Sequence, residues 1–447
     1  MDTFTSRLST ALTGAADRPL VYLGNFEVEE QWARGERSLP RVHDPNGTAV
    51  VNRMDEFAML LAGKGDHVLL KAAPDPSYLD YLTGIGVDLP TIHVPGVQEP
   101  RRFVTEDVLD DPALLATLSG LAAEGCRLVA HGVSEVEEAL AGKSGLPLAA
   151  PDAVTCKSVN SKVYSRRVVD DLGLRQPRGW ACSTQEELAA AVTEAAALVR
   201  SGVKVAVKEA FGVSGKGIAV VDNERRLDRL FRLLSRKADT RASFVIEAWV
   251  SKTTDLNYQF TVGRDGTVRF DFVKEAVTES GVHKGHRMPA RLTQDQTDEL
   301  RAVSRLLGER LSADGYFGVV GVDAMVDPDG GLYPVTEINA RHNMSTYQVS
   351  LQERFVGQDK LAMARHYPLR LAAPLPFEAV RRSLAGLVLE RAGGNGLLVN
   401  NFATVNAAAG PDTFTGRLYG LVVADREDEL TALDEAVTAR LAAMEER

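Results

Sequence analysis

Short apolar runs bounded by glycine or proline punctuate the first third of the chain. Pro19-Leu-Val-Tyr-Leu-Gly24, Asp66-His-Val-Leu-Leu70 and Cys126-Arg-Leu-Val-Ala130 read as buried strands. Helix-like material lies between them, and Asp111 with Pro112 opens one helix as cap and first-turn proline. Alternating strands and helices predict a small α/β layer domain ending near Pro151. It has no GxGxxG run and is not read as a dinucleotide site. From about Thr155 the pattern changes. Ser158-Val-Asn-Ser-Lys162 leads into a basic helix, and the capping box Ser183-Thr-Gln-Glu186 starts an alanine-rich helix to about Ser201. Val203 to Lys208 alternates as a strand, with further strands at Ile218–Asp222 and Ser243–Glu247. Thr293-Gln-Asp-Gln296 caps a long helix ending near Gly315. Past Leu371 the chain is richer in Gly, Ala and Asn, and an amphipathic helix starts at about Asp428. The expected class is α/β (α+β) in three units: 1–154, 155–370 with a flexible lid at about 180–250, and a separate C-terminal lobe at 371–447.

A chain of 447 residues is too long for one ordinary core, which supports the division. Its 51 basic and 61 acidic residues give a net charge of -10, which argues against general nucleic-acid affinity and favours small molecules or peptides as partners. Cys126, Cys156 and Cys182 have no CxxC spacing, so a disulfide framework is not expected and a reducing cytoplasm fits. Met1 to Pro19 lacks the apolar segment of a signal peptide, and no apolar run is long enough to predict a membrane span.

The most specific chemistry lies in Gly318-Val-Val-Gly-Val-Asp323 and Thr336-Glu337-Ile-Asn339-Ala-Arg341, two strands joined by the turn Asp327-Pro-Asp-Gly-Gly331. If 326 pairs with 332 or with 334, Asp323, Glu337 and Asn339 share one face. Two carboxylates and an amide oxygen form a hard-oxygen set suited to Mg²⁺ with nucleotide phosphates. Arg341 lies just beyond, where it can meet developing negative charge. The loop Phe211–Gly217, with Gly212, Ser214, Gly215 and Gly217, can lay backbone N–H groups along phosphates above Lys208, or it is an ordinary hairpin turn. It lacks the GxxxxGK[ST] pattern. Glu247-Ala-Trp249-Val250 ends a strand and can offer backbone groups to an adenine edge, and Asp255 can take ribose hydroxyls or serve as a turn residue. His283-Lys-Gly-His286-Arg287 reads as a basic loop facing anionic substrate, or an exposed basic turn. A zinc reading lacks further Cys or His ligands nearby. His43, His67, His93, His131 and His366 are isolated, and the pair Arg101-Arg102 reads as solvated surface.

In this order, these motifs resemble the ATP-grasp superfamily of carboxylate–amine ligases. Carried over residue by residue, the resemblance implies that Lys162 and Lys208 are the phosphate-side lysines and Phe211–Gly217 the flexible glycine loop. It makes Glu247 to Val250 the adenine hinge. Asp323, Glu337 and Asn339 become the metal ligands, and Arg341 the arginine at the reacting centre. His286 and Arg287 are added as further oxyanion donors. The chain also resembles, over nearly its full length, the branch that holds the peptide ligase of pheganomycin biosynthesis. The domain before the ATP-grasp region and the tail that helps shape a peptide site both fit that branch. Gln259 stands where related ligases often have Glu. The resemblance implies ATP and Mg²⁺, an acyl phosphate, and release of ADP and phosphate. A small carboxylic acid, there an N-guanidino aryl-glycine type, is the donor and a peptide amine the acceptor, in antibiotic biosynthesis. A carboxylase, an amino-acid ligase and a nucleotide-binding module without catalysis stay open, as does a homodimer.

Overall fold

The computed structural model describes residues 3–40, 46–100, 102–212, 217–235, 241–279, 282–357 and 359–445. The N-terminal unit is a four-stranded parallel sheet of β1 (Leu20–Leu23), β2 (His67–Leu69), β3 (Thr91–His93) and β4 (Arg127–Ala130), in the order β3-β2-β1-β4. The three strands expected from the apolar runs are β1, β2 and β4. The helix Pro112–Ala123 starts on Asp111, whose carboxylate accepts from the N–H groups of Ala113 and Leu114.

A second four-stranded sheet, order β5-β8-β6-β7, is antiparallel throughout. It comprises β5 (Gly179–Cys182), β6 (Val205–Glu209), β7 (Ile218–Val221) and β8 (Phe244–Ala248). The helices Gln185–Arg200 and Glu224–Ser235 cover it. This unit fills the span, about 180–250, where a lid is expected. The first helix is capped by Thr184, which accepts from Glu187 N, one residue later than the expected Ser183 box. Leu39 of the N-terminal unit is buried in the lid's apolar core beside Phe244 and Ile246. The backbone around it joins the lid too, with Arg37 N donating to Arg241 O at 2.9 Å and Arg241 N to Gly35 O at 3.0 Å. Leu39→Ala removes that anchor, at a cost of about 2–5 kcal/mol for a leucine lost from a core. We expect faster hydrogen exchange over 203–212 and 217–235 and no change at 318–339.

The third sheet has eight strands, ordered β13-β12-β9-β10-β11-β14-β16-β15. They are β9 (Thr254–Val262), β10 (Val268–Glu279), β11 (Val282–Met288), β12 (Gly318–Val326), β13 (Leu332–Asn339), β14 (Leu361–Leu371), β15 (Gly396–Asn401) and β16 (Phe414–Ala424). Even-numbered residues of β9 and β12 pack with Leu300, Val303, Leu307 and Leu311 of the helix Gln294–Ala313. That leaves odd-numbered side chains, Asp323 among them, on the opposite face. The N-terminal unit covers part of this second face. Phe4, Leu8, Phe57 and Tyr78 share one apolar cluster with Val319, Ala362, Phe402 and Leu421.

Two expectations are corrected here. The tail is not a separate lobe, because β14 pairs with β16 over eleven residues, Leu361 to Leu371, and so joins β15 and β16 to the main sheet. The segment around His283 and His286 is not a loop but the strand β11, paired with β10 and β14. Gly285 serves close strand approach, since a Cβ there would lie 1.7 Å from Ala364 O.

Candidate active site

The β12–β13 hairpin contains both registers considered from sequence. Val326 pairs with Leu332, and after a shift between Asp323 and Met325, Asp323 pairs with Glu337 and Gly321 with Asn339. Asp323, Glu337 and Asn339 therefore project from one face, with Asn339 Nδ2 3.5 Å from Asp323 Oδ2. β9 brings in a residue that the sequence reading missed: Asn257 sits opposite Asp323 and donates Nδ2 to Asp323 Oδ1 at 2.9 Å. Its own Oδ1 is buried without a partner among the described residues.

The helix Lys162–Asp171 lies against the hairpin, with Ser165 Oγ accepting from Ile338 N at 3.0 Å. Lys162 Nζ reaches Glu337 Oε1 at 2.6 Å and Gly212 O at 2.9 Å. Arg166, one turn on, was not singled out from sequence. Its i, i+4 spacing from Lys162 is the signal that puts it on the same face. It meets Glu247 Oε2 at 3.3 Å and Gly179 O at 3.2 Å. Lys208, next to last in β6, binds the other oxygen of Glu247 at 2.6 Å. Lys162, Arg166, Lys208, Glu247, Val335 and Thr336 thus line one narrow cleft between lid and main sheet. Gly217 closes the loop at a φ of 86° and its carbonyl accepts from Glu209 N at 2.9 Å. Ser214 and Gly215 lie outside the described residues.

At the hinge, Trp249 N donates to Lys204 O at 2.8 Å while its side chain is 44% exposed. Val250 follows it directly. Asp255 lies on β9 on the same face as Asn257, paired with Lys252 Nζ at 2.6 Å.

Arg341 is held from the N-terminal unit. Its Nε donates to Glu29 Oε1 at 2.7 Å, its Nη2 pairs with the same carboxylate, and Nη2 also meets Asn339 Oδ1 at 3.1 Å. Glu29 carries no sequence signal. Around this contact His131 and His342 are buried, and His342 is pushed down to about 4, chiefly by desolvation.

His286 and Arg287 are not brought to this centre. Pairing places His286 on the face of Asp323, but three strands away, about 14 Å at the usual strand spacing. Arg287 points to the opposite face, where it pairs with Glu427 of the final helix. Alternation along β11 separates the two side chains, and a loop reading cannot foresee that.

The donor set suits a hard divalent cation. It has two carboxylates, an amide oxygen and the unpartnered Asn257 oxygen beside them. Desolvation in the cleft, then the charge of Glu337, push Asp323 up to about 6. An acid raised in the native state is protonated there where the unfolded chain has ionised. Its contribution to stability therefore falls as pH rises from about 4 to 6. Metal binding below about pH 6 must displace that proton. Calorimetry of Mg-ADP binding should show affinity falling toward tenfold per unit below about pH 6, with proton release at pH 5 and little at pH 8.

Comparison with known proteins agrees with this architecture. Residues 54–146 match the Pre ATP-grasp domain family and residues 167–354 the ATP-grasp domain family. The "[Butirosin acyl-carrier protein]--L-glutamate ligase" of Niallia circulans is 26% identical over 365 residues, 80% of each chain. Among solved structures, N5-carboxyaminoimidazole ribonucleotide synthetase with ADP superposes with a TM-score of 0.55 at 14% identity, over 96% of this chain and 98% of that one. The N5-carboxyaminoimidazole synthase of Aspergillus clavatus, with ADP and 5-aminoimidazole ribonucleotide, gives 0.53 at 15% identity over 95% and 99%. Among the described residues, no helix is long and apolar enough to cross a membrane. With a pre-ATP-grasp unit ahead of an ATP-grasp unit, the chain belongs to the ATP-grasp superfamily.

Proposed function

We propose that the protein is an ADP-forming ligase that activates an amino-acid-like carboxylate as an acyl phosphate and passes it to the N-terminal amine of a peptide. The observation that carries this reading is the Asp323–Glu337 pair with Asn339 on one face, Arg341 beside it and the Lys162–Arg166–Lys208 cleft above. On this reading Lys162, Arg166 and Lys208 exchange their carboxylate partners for phosphate oxygens. The lid's Glu247–Val250 segment meets the adenine, and Asp255 the ribose. Asp323, Glu337 and Asn339 would hold Mg²⁺, which neutralises phosphate charge. A donor carboxylate oxygen attacks the γ-phosphorus and ADP leaves. The acceptor nitrogen then attacks the acyl carbon, phosphate leaves and the nitrogen loses a proton. Such transfer depends on positioning and charge neutralisation rather than on a protein nucleophile. Arg341 faces the oxyanion of both steps. His286, farther along the same face, is assigned to the acceptor side.

A second reading has a specific observation behind it. The butirosin relative matches over 80% of both chains, and its name specifies an acyl-carrier protein and L-glutamate. The acceptor would then be a carrier-bound group rather than a peptide.

The test is incubation with Mg-ATP, a panel of acids including an N-guanidino aryl-glycine and L-glutamate, and either a short peptide or a loaded carrier protein. Mass spectrometry follows acceptor and nucleotide together. An acceptor heavier by the acid minus water, with matching ADP, supports the ligase, and the acceptor that gains mass decides between the readings. AMP in place of ADP would overturn the acyl phosphate.

A further inference from the structure

Asn343, two residues past Arg341, is fixed by its own side chain. Its Oδ1 accepts from Ser345 N at 2.8 Å and Thr346 N at 3.1 Å, and its N–H donates to Thr346 Oγ1 at 3.1 Å. Only the oxygen of an amide can accept, so these bonds also identify which atom is the nitrogen. That nitrogen, Nδ2, is buried and has no partner among the described residues.

Its position is set by a glycine. A Cβ on Gly321 would lie 2.4 Å from Asn343 Nδ2, so the amide rests directly over that residue. Gly321 pairs with Asn339 and stands two positions before Asp323 on the same face. The free N–H groups thus lie about 7 Å along the strand from the Asp323 position. They neighbour Asn339, whose amide oxygen holds Arg341 at 3.1 Å. A buried N–H donor is normally satisfied, and its desolvation is costly unless an acceptor arrives. Among the described residues none is supplied, on the face that carries Asp323 and Asn339.

We propose that Asn343 is a catalytic hydrogen-bond donor to an oxygen anion at the reacting centre, either the donor acid's carboxylate or the phosphoryl oxygen transferred to it. Gly321 is the cradle that admits it. This rests on the ligase reading above and adds to it the residue that grips the oxyanion next to Arg341.

Asn343→Asp keeps an oxygen for the N–H groups of Ser345 and Thr346 but replaces the donor by an anion. Gly321→Ala displaces Nδ2 without adding charge. Each full-length variant, saturated with Mg-ADP, is titrated with inorganic phosphate by calorimetry. ADP release is then measured with and without the acid that the wild type activates. Mg-ADP affinity and melting temperature should stay near wild type. Acid-dependent ADP release should fall about a hundredfold or more in both variants, the loss typical of a missing oxyanion donor. Weaker phosphate binding in both assigns the phosphoryl oxygen. Intact phosphate binding with a raised KM for the acid assigns the carboxylate. Both quantities within about threefold of wild type would overturn the proposal and leave an ordered water as the partner of Nδ2. If the wild type activates no acid on the panel, the ligase reading fails, and unchanged phosphate binding then overturns the assignment of Asn343 by itself.

Discussion

Glu337→Gln is expected to lower turnover by about a hundredfold or more with the fold retained. Glu337 stands opposite Asp323 in the hairpin and accepts Lys162 Nζ at 2.6 Å. The amide is isosteric and its oxygen can still accept from Lys162. It no longer carries the charge that a hard cation and a phosphate-side lysine both need. The substitution also removes the repulsion that raises Asp323, whose second-largest cause is Glu337. These effects on stability oppose each other, so the melting temperature should move by only a few degrees. ADP formation with the preferred acid, circular dichroism and Mg-ADP titration would be measured together. Normal turnover with normal metal dependence would remove Glu337 from the site.

Much of this site was legible because it is built on local sequence. The hairpin turn at Asp327–Gly331 fixes which residues oppose one another, and strand alternation then puts Asp323, Glu337 and Asn339 on one face. The Lys208 strand and the helix starting at Lys162 follow from periodicity and caps. The structure also contains what no local pattern encodes. Asn257 and Glu29 reach the site from β9 and from the N-terminal unit, and their partners lie far away in sequence. The main sheet's extent was missed for a related reason. β14 and β16 extend the sheet past β11 while β12 and β13 flank β9 at the other side, so the tail joins a sheet begun more than a hundred residues earlier and composition alone made it look independent. Gly285 was read as a loop residue although it serves close strand packing.

Arg341→Ala should have the other large effect, and it should come in two separable parts. The first is chemical: loss of a guanidinium beside Asn339, costing about a hundredfold to a thousandfold in turnover. The second is structural. Glu29 is 9% exposed, and with Arg341 gone its carboxylate stays buried without that cation. Breaking such a pair from one side typically costs about 3–5 kcal/mol, mostly from the stranded charge. Arg341→Ala should therefore lower both activity and melting temperature. Adding Glu29→Gln removes the stranded charge. The double variant should recover most of the lost melting temperature and none of the turnover, and the coupling between the two sites follows from the complete cycle. Recovery of turnover along with stability would mean that Arg341 only ties the N-terminal unit to the sheet. Glu29→Gln alone, with Arg341 present but less firmly held, should lower kcat more than it raises the KM for ATP. Glu29→Asp, which keeps the charge, should restore part of that loss. A residue that merely joined the two domains would show neither the split nor the rescue.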